Sequence, residues 1–356
     1  SAFEDCSALF SFTMQWAMNY MGDYAFRNCV SLSKSMHPAF SIWGIVTCGK
    51  NVFENCTSLK SIEINNTDIG EEMFSGCTQL RSVTLNNVGT IGARAFMNCY
   101  ALESFVVPET VTSMGLYVFD KCANLKYLTV PFIGSSAENP AYLSYFGDAL
   151  RIWLKELYIT DSCTQIRSAA LENCESLEVL TLPFVGSDPD STQSKKFSYI
   201  FGSETLIPQT LTKVIVNGGK MGLRAFENCT GIKSVEIYSP ITGISSYAFG
   251  NCSSLYEIRI PESVTYIGEG AFFRCEKLND IKLPSALKEI GELAFSYCIS
   301  LADVTFPKGL SIIGDYAFGK CESFLTLTIP DSVTQIGKAA FKRCDNLESV
   351  NSPFTG

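Results

Sequence analysis

The chain is predicted to be a right-handed solenoid, each coil holding one short parallel strand plus turns and short 3-10 or helical segments in about 23 residues. Two observations predict it: cysteines at a fixed spacing, and an apolar pattern recurring at that same spacing. A third excludes the main competitor, because no segment carries an amphipathic helical period beyond two turns. Thirteen of the 15 cysteines follow a Phe or Leu by three residues, from Phe3/Cys6 and Phe26/Cys29 through Leu171/Cys174 to Phe341/Cys344. From Cys229 to Cys344 every step is 23 residues.

Within each repeat the elements follow from residue chemistry. Leu278-x-x-Ile281-x-Leu283 alternates apolar and polar positions and reads as a strand. Pro284 ends it, because proline has no N–H to give to a ladder. Ile290-Gly291 reads as a turn in which glycine supplies a positive φ. The same slot holds an apolar residue in every repeat, followed by Gly except at Arg167 and Ser245. Ala294-Phe295-x-x-Cys298 is long enough for one 3-10 turn. Stacking such coils predicts a buried phenyl spine and a ladder of free, buried thiols. Cys48 and Cys163 stand in the Ile and Val slots of their own repeats, as small hydrophobes.

The strands are expected in about 15 repeats, beginning at Leu9, Leu32, Leu59, Leu80, Leu102, Leu125, Leu154, Leu177, Leu211, Ile232, Leu255, Leu278, Leu301, Phe324 and Leu347. The second of these departs from the pattern between Leu32 and Cys48, and Ser35-Met36-His37 does not read as a clear strand. Two longer repeats, around 131–153 and 183–210, share Pro-Phe-Ile/Val-Gly-Ser and Ser-Tyr…Phe-Gly elements. Their added polar stretches, Ser135–Pro140 and Ser187–Lys196, read as surface loops. A third copy starts at Pro353-Phe354-Thr355-Gly356. The chain thus begins inside one repeat and ends inside another, which reads as a single solenoid domain over 1–356, a fragment of a longer protein.

The pattern Leu-x-x-Ile-x-Ile-Pro…Val-Thr…Ile-Gly…Ala-Phe-x-x-Cys resembles the BspA-type leucine-rich repeat over nearly the whole chain. That resemblance implies a leucine-rich-repeat solenoid on a secreted, cell-surface protein of bacteria or trichomonads. It also implies adhesion to host proteins or other cells, with no catalytic residues to carry over.

Chemistry is sparse. The net charge is −9 and no Lys/Arg run stands out, which argues against nucleic acid as a partner. No apolar run is long enough to insert in a membrane. The one histidine, His37, lies in a Met-His-Pro stretch and reads as a solvated loop residue. No Cys-x-x-Cys pair exists, so neither a metal site nor a cofactor is expected. Gly218-Gly219 is a shortened turn, and Asp188-Pro189-Asp190 reads as a solvated loop rather than a calcium site. Glu257, Asp280 and Asp303 form a polar row on a sheet face, which gives acid–base chemistry no enclosing pocket. The chain is therefore not expected to be an enzyme.

One face departs from the polar rule. Outward strand positions are polar or small near both ends, but in the middle they become Val106, Tyr127 with Thr129, Tyr158, Val179 and Ile215. An apolar run on a wet face marks an interaction site. The alternative is that the two long loops, or their Phe132 and Phe184 anchors, fold over it. Two functions fit: an extracellular recognition or adhesion module binding protein or glycan, or a structural spacer that displays another domain.

Overall fold

The computed structural model describes residues 1–12, 19–33, 40–42, 47–190 and 196–352. His37, the Ser35-Met36-His37 segment, 191–195 of the second long loop and the final Pro-Phe-Thr-Gly lie outside the described residues. The chain divides into two compact halves, Ser1–Leu177 and Glu178–Gly356. Each is a stack of coils with parallel strands in register, and the coils repeat about 23 residues apart.

In the N-terminal half the strands Phe40–Ile42, Ser61–Asn65 and Ser82–Asn86 form one parallel group. Ser104–Val106, Tyr127–Val130 and Glu156–Ile159 form another. In the C-terminal half Val179–Leu182, Lys213–Val216, Ser234–Ile237 and Glu257–Arg259 pair in order. Thr326–Thr328 pairs with Ser349–Asn351. These strands follow the expected apolar positions. Three repeats differ. Among the described residues of the Leu9 strand, Ser11 forms a bridge. Past Leu278 and Leu301 pairing shrinks to a single bridge between Asp280 and Asp303. The described strand that pairs with Ile62–Ile64 is Phe40–Ile42.

The Ile-Gly step is not a turn. It is a second parallel ladder, with Gly243–Ile244, Tyr266–Ile267, Glu289–Ile290, Ile312–Ile313 and Gln335–Ile336 in register. None of its glycines has a positive φ. Their role is close approach: a Cβ on Gly291 would sit 2.9 Å from Glu269 N and Gly268 C. The Gly291 N–H donates to Ile267 O at 2.8 Å, and Gly314 repeats this to Ile290 O. Two exceptions to the glycine rule adjoin irregular coils. Arg167 follows the first long repeat, and its guanidinium lies 3.8 Å from the Tyr142 ring centroid. Ser245 donates its hydroxyl to Met221 O.

The left-handed residues lie on either side of the Phe instead. Leu293 (φ 56) precedes Phe295 by two and Tyr297 (φ 64) follows it by two. The later position is Asn in many repeats, such as Asn28, Asn55, Asn228 and Asn251, because a short polar side chain tolerates that conformation. The segment between is a run of turns: Cys298 N donates to Phe295 O, and Leu301 N to Cys298 O. In the same segment Phe295 N donates to Ala317 O of the next coil at 2.7 Å.

The core is the predicted spine. Phe249, Phe272, Phe295, Phe318 and Phe341 stack with centroids 5.1–5.4 Å apart and planes within 9° of parallel. Phe26, Phe53, Phe74 and Phe96 stack likewise in the other half, 5.3–5.5 Å apart. Beside the rings the thiols of the regular coils donate to the Phe carbonyl of the preceding coil, for example Cys298 Sγ to Phe272 O and Cys321 Sγ to Phe295 O, both 3.2 Å; Cys229 and Cys163 donate instead to Glu227 O and Gln165 O. All 15 cysteines are free and 13 are buried.

The four helical elements among the described residues lie in the two long repeats: 3-10 turns at Leu143–Tyr145, Phe197–Ile200 and Glu204–Leu206, and one α-turn at Leu150–Trp153. Regular coils close with hydrogen-bonded turns. Leu143 and Phe197 take the spine position, donating N–H to Ala170 O and Ala225 O. Phe132 and Phe184 are buried in the core.

Candidate binding face

Parallel register decides which outward side chains meet. In the N-terminal half Ser104, Tyr127 and Glu156 form one row across three strands. Val106, Thr129 and Tyr158 form the adjacent row. Because strand residues alternate, Phe105, Leu128 and Leu157 between these rows point inward and are buried. The outward residues are wet: Val106 is 60% exposed, Tyr127 43% and Tyr158 40%. Thr129 between them is half-buried. Phe132, which could have folded over this face, is spent on the core, and the polar Gly134–Ser136/Asn139–Pro140 hairpin leaves both tyrosines exposed.

The rim extends this surface. Tyr100 is 44% exposed, and Ile152 and Trp153 are each 51% exposed. Tyr100 O accepts a hydrogen bond from Asn124 Nδ2 at 2.7 Å, which fixes the approach to the Tyr127 strand. Strand alternation does not reveal these three, since they precede the strands. A different signal exists: just before the strand-opening Leu most other repeats place small or polar pairs, such as Ser253-Ser254, where this one has Ile152-Trp153.

Val179 and Ile215 lie on the sheet of the C-terminal half and are half-buried. They occupy different rows, Val179 opposite Lys213 and Ile215 between Thr181 and Glu236. A polar network dominates there. Lys213 Nζ lies 2.6 Å from Glu236 Oε1, and the Tyr238 hydroxyl donates to Glu236 Oε2 at 2.8 Å. The Lys213 hydrogen bond holds the Glu236 carboxyl below the usual range. Arg259 stacks 4.1 Å from the Tyr238 ring centroid.

The residues considered for other chemistry are engaged structurally. Glu257 accepts from Ser234 Oγ. Asp188 accepts from Ser187 Oγ and Asp190 N, and Asp190 pairs with Lys220. Among the described residues no group of three or more His, Cys, Asp or Glu is placed to hold a metal ion. No helix among them is long and apolar enough to cross a membrane.

Stacked parallel coils, a phenyl spine and an outward sheet face define a leucine-rich-repeat solenoid. The profile described as BspA type Leucine rich repeat region (6 copies) matches residues 1–87, 46–178, 151–217 and 219–353. The chain belongs to this BspA-type leucine-rich-repeat family. No curated protein matches it. Among solved structures, a leucine-rich repeat protein from Bacteroides ovatus ATCC 8483 is similar, at 23% identity over 96% of this chain and 86% of that one, with a TM-score of 0.33. A leucine rich cell surface protein from Faecalibacterium prausnitzii A2-165 is 23% identical over 97% and 88%, TM-score 0.34. An internalin from Listeria monocytogenes is 14% identical over 96% and 88%, TM-score 0.42.

Proposed function

We propose that the chain is a non-catalytic recognition module of a bacterial cell surface. It binds an extracellular protein or glycan through the N-terminal-half face of Val106, Tyr127, Thr129 and Tyr158. The observation that carries this reading is the exposure of both tyrosines on two adjacent rows of a rigid sheet. Exposed apolar patches with polar rims mark interaction sites, and tyrosine and tryptophan are enriched where binding energy concentrates. Tyr100, Ile152 and Trp153 enlarge the same surface. Val179 and Ile215 contribute less in this reading, being half-buried beside an ionic network. Catalysis has no part in it, because a flat sheet face lacks the enclosure that shifts carboxylate pKa values. Surface display rests on the family membership.

The test is a binding screen of the chain against extracellular matrix proteins and glycan arrays. Any partner found is then titrated with Tyr127→Ala/Tyr158→Ala. Each tyrosine contributes about 1–2 kcal/mol at a binding hot spot, so affinity should fall roughly tenfold or more while the thermal transition stays unchanged. Equal affinity in the double variant would remove this face from consideration.

A further inference from the structure

Four consecutive repeats of the C-terminal half break the asparagine habit of the left-handed position. Where other repeats carry Asn228 or Asn251, these carry Arg274, Tyr297, Lys320 and Arg343, with φ of 58, 64, 62 and 60°. The left-handed backbone is common to the coils, so what sets this row apart is its side chains. The row is fixed in register by the backbone: Arg274 N donates to Ser296 O, Tyr297 N to Gly319 O and Lys320 N to Lys342 O.

The side chains form a cation–aromatic ridge. Arg274 Cζ lies 5.3 Å and Lys320 Nζ 5.4 Å from the centroid of the same Tyr297 ring. Lys342 Nζ lies 5.9 Å from the Tyr316 ring. Among the described residues, none of Arg274, Lys320, Lys342 or Arg343 has a carboxylate within ion-pair distance. Two carboxylates on these coils are engaged with other groups: Glu269 accepts from the Tyr247 hydroxyl and Asp315 from Lys338 N. In a chain of net charge −9, three cations at one register position without an ion-pair partner are a local exception.

We propose that this ridge binds a linear sulfated polysaccharide. Arg274 and Lys320 stand two coils apart, twice the 5.1 Å ring spacing of the spine. That spacing suits one anionic group per disaccharide. The half-exposed Tyr297 ring between them holds both cations in place, and these take the sulfates. A solenoid holds the spacing rigidly, so the match favours a regular polymer. The ridge is separate from the tyrosine face in the N-terminal half, and neither proposal depends on the other.

The test uses the full chain and heparin fragments of defined length, followed by calorimetry at low and at physiological salt. The variant is Arg274→Asn/Lys320→Asn/Arg343→Asn, which restores the residue that the position carries elsewhere and so should preserve or raise the melting temperature. Affinity should fall by roughly tenfold or more and the salt dependence should flatten, because fewer counterions are exchanged. Tyr297→Asn should weaken binding while leaving the salt slope unchanged. The proposal is overturned by absence of heparin binding at low salt, by undiminished binding in the triple variant, or by equal binding of unsulfated polymer. Equal or tighter binding of poly-glutamate or a DNA oligonucleotide would overturn the assignment to a glycan.

Discussion

Cys298 and Phe295 secure one coil to the next in different ways. The phenyl ring contributes buried area and dispersion, so Phe295→Ala should cost about 3–5 kcal/mol in urea unfolding. The thiol fills a small space and satisfies a second lone pair on Phe272 O, which already accepts from the Cys275 N–H. Burial pushes the thiols of Cys77, Cys122 and Cys252 from 9.0 up to about 12. These groups stay protonated in the folded state after they would ionise in the unfolded chain. Their stabilisation is therefore complete below pH 9 and is lost as pH rises toward 12, at about 1.4 kcal/mol per pH unit for each thiol. The urea midpoint should drop steeply above pH 9, and replacing two thiols by Ala should flatten that slope. Phe and Cys could be read from the sequence because the core demands the same side chain in every coil. The glycines misled, since sequence reveals that a Cβ is excluded but not whether φ or a neighbouring backbone excludes it. Gly291→Ala should thus cost about 1–3 kcal/mol by forcing two neighbouring coils of the ladder apart. Gly231→Ala, whose Cβ would meet nothing nearer than Gln209 Oε1 at 3.8 Å, should lie within about 0.5 kcal/mol of the parent.

At the scale of elements, the strands were legible because apolar alternation and a proline stop recur in each repeat. The two long repeats were legible only as interruptions. Their 3-10 turns depend on tertiary support: Lys196 Nζ lies 2.8 Å from both Glu204 Oε1 and the nearly buried Glu227 Oε2. Asn228 Nδ2 also donates to Glu204 Oε2 at 3.0 Å. No local pattern announces a tether between residues 31 positions apart. Lys196→Ala leaves Glu227 with Arg224 alone and should cost about 1–3 kcal/mol. Hydrogen exchange should quicken across Phe197–Leu206 and stay slow in the regular coils; uniform change would deny the tether its local role. The tyrosine rows could be placed from register alone, whereas Ile152 and Trp153 escaped because a one-turn helix, not a strand, presents them.

For the whole molecule, equivalence of repeats makes a strong demand. Removing residues 276–298 joins Cys275 to Ile299 and deletes one 23-residue coil without shifting the phase. Nearest-neighbour arrays tolerate this, so the shortened chain should fold and lose roughly one coil and one interface of stability. Collapse of the fold would show that the repeats are not interchangeable. We infer that residues 1–356 unfold as one cooperative domain, and two resolved transitions in calorimetry would refute that. The thiol ladder also makes the solenoid a vibrational ruler. S–H stretching falls in a window that backbone and other side chains leave empty, and its frequency follows the hydrogen bond accepted by the facing carbonyl. Each regular interface, from Cys56 against Phe26 O to Cys344 against Phe318 O, therefore carries its own infrared oscillator. A Cys→Ala change at one coil subtracts one oscillator from the band. Separation of the coils under force could then be followed in the unlabelled protein.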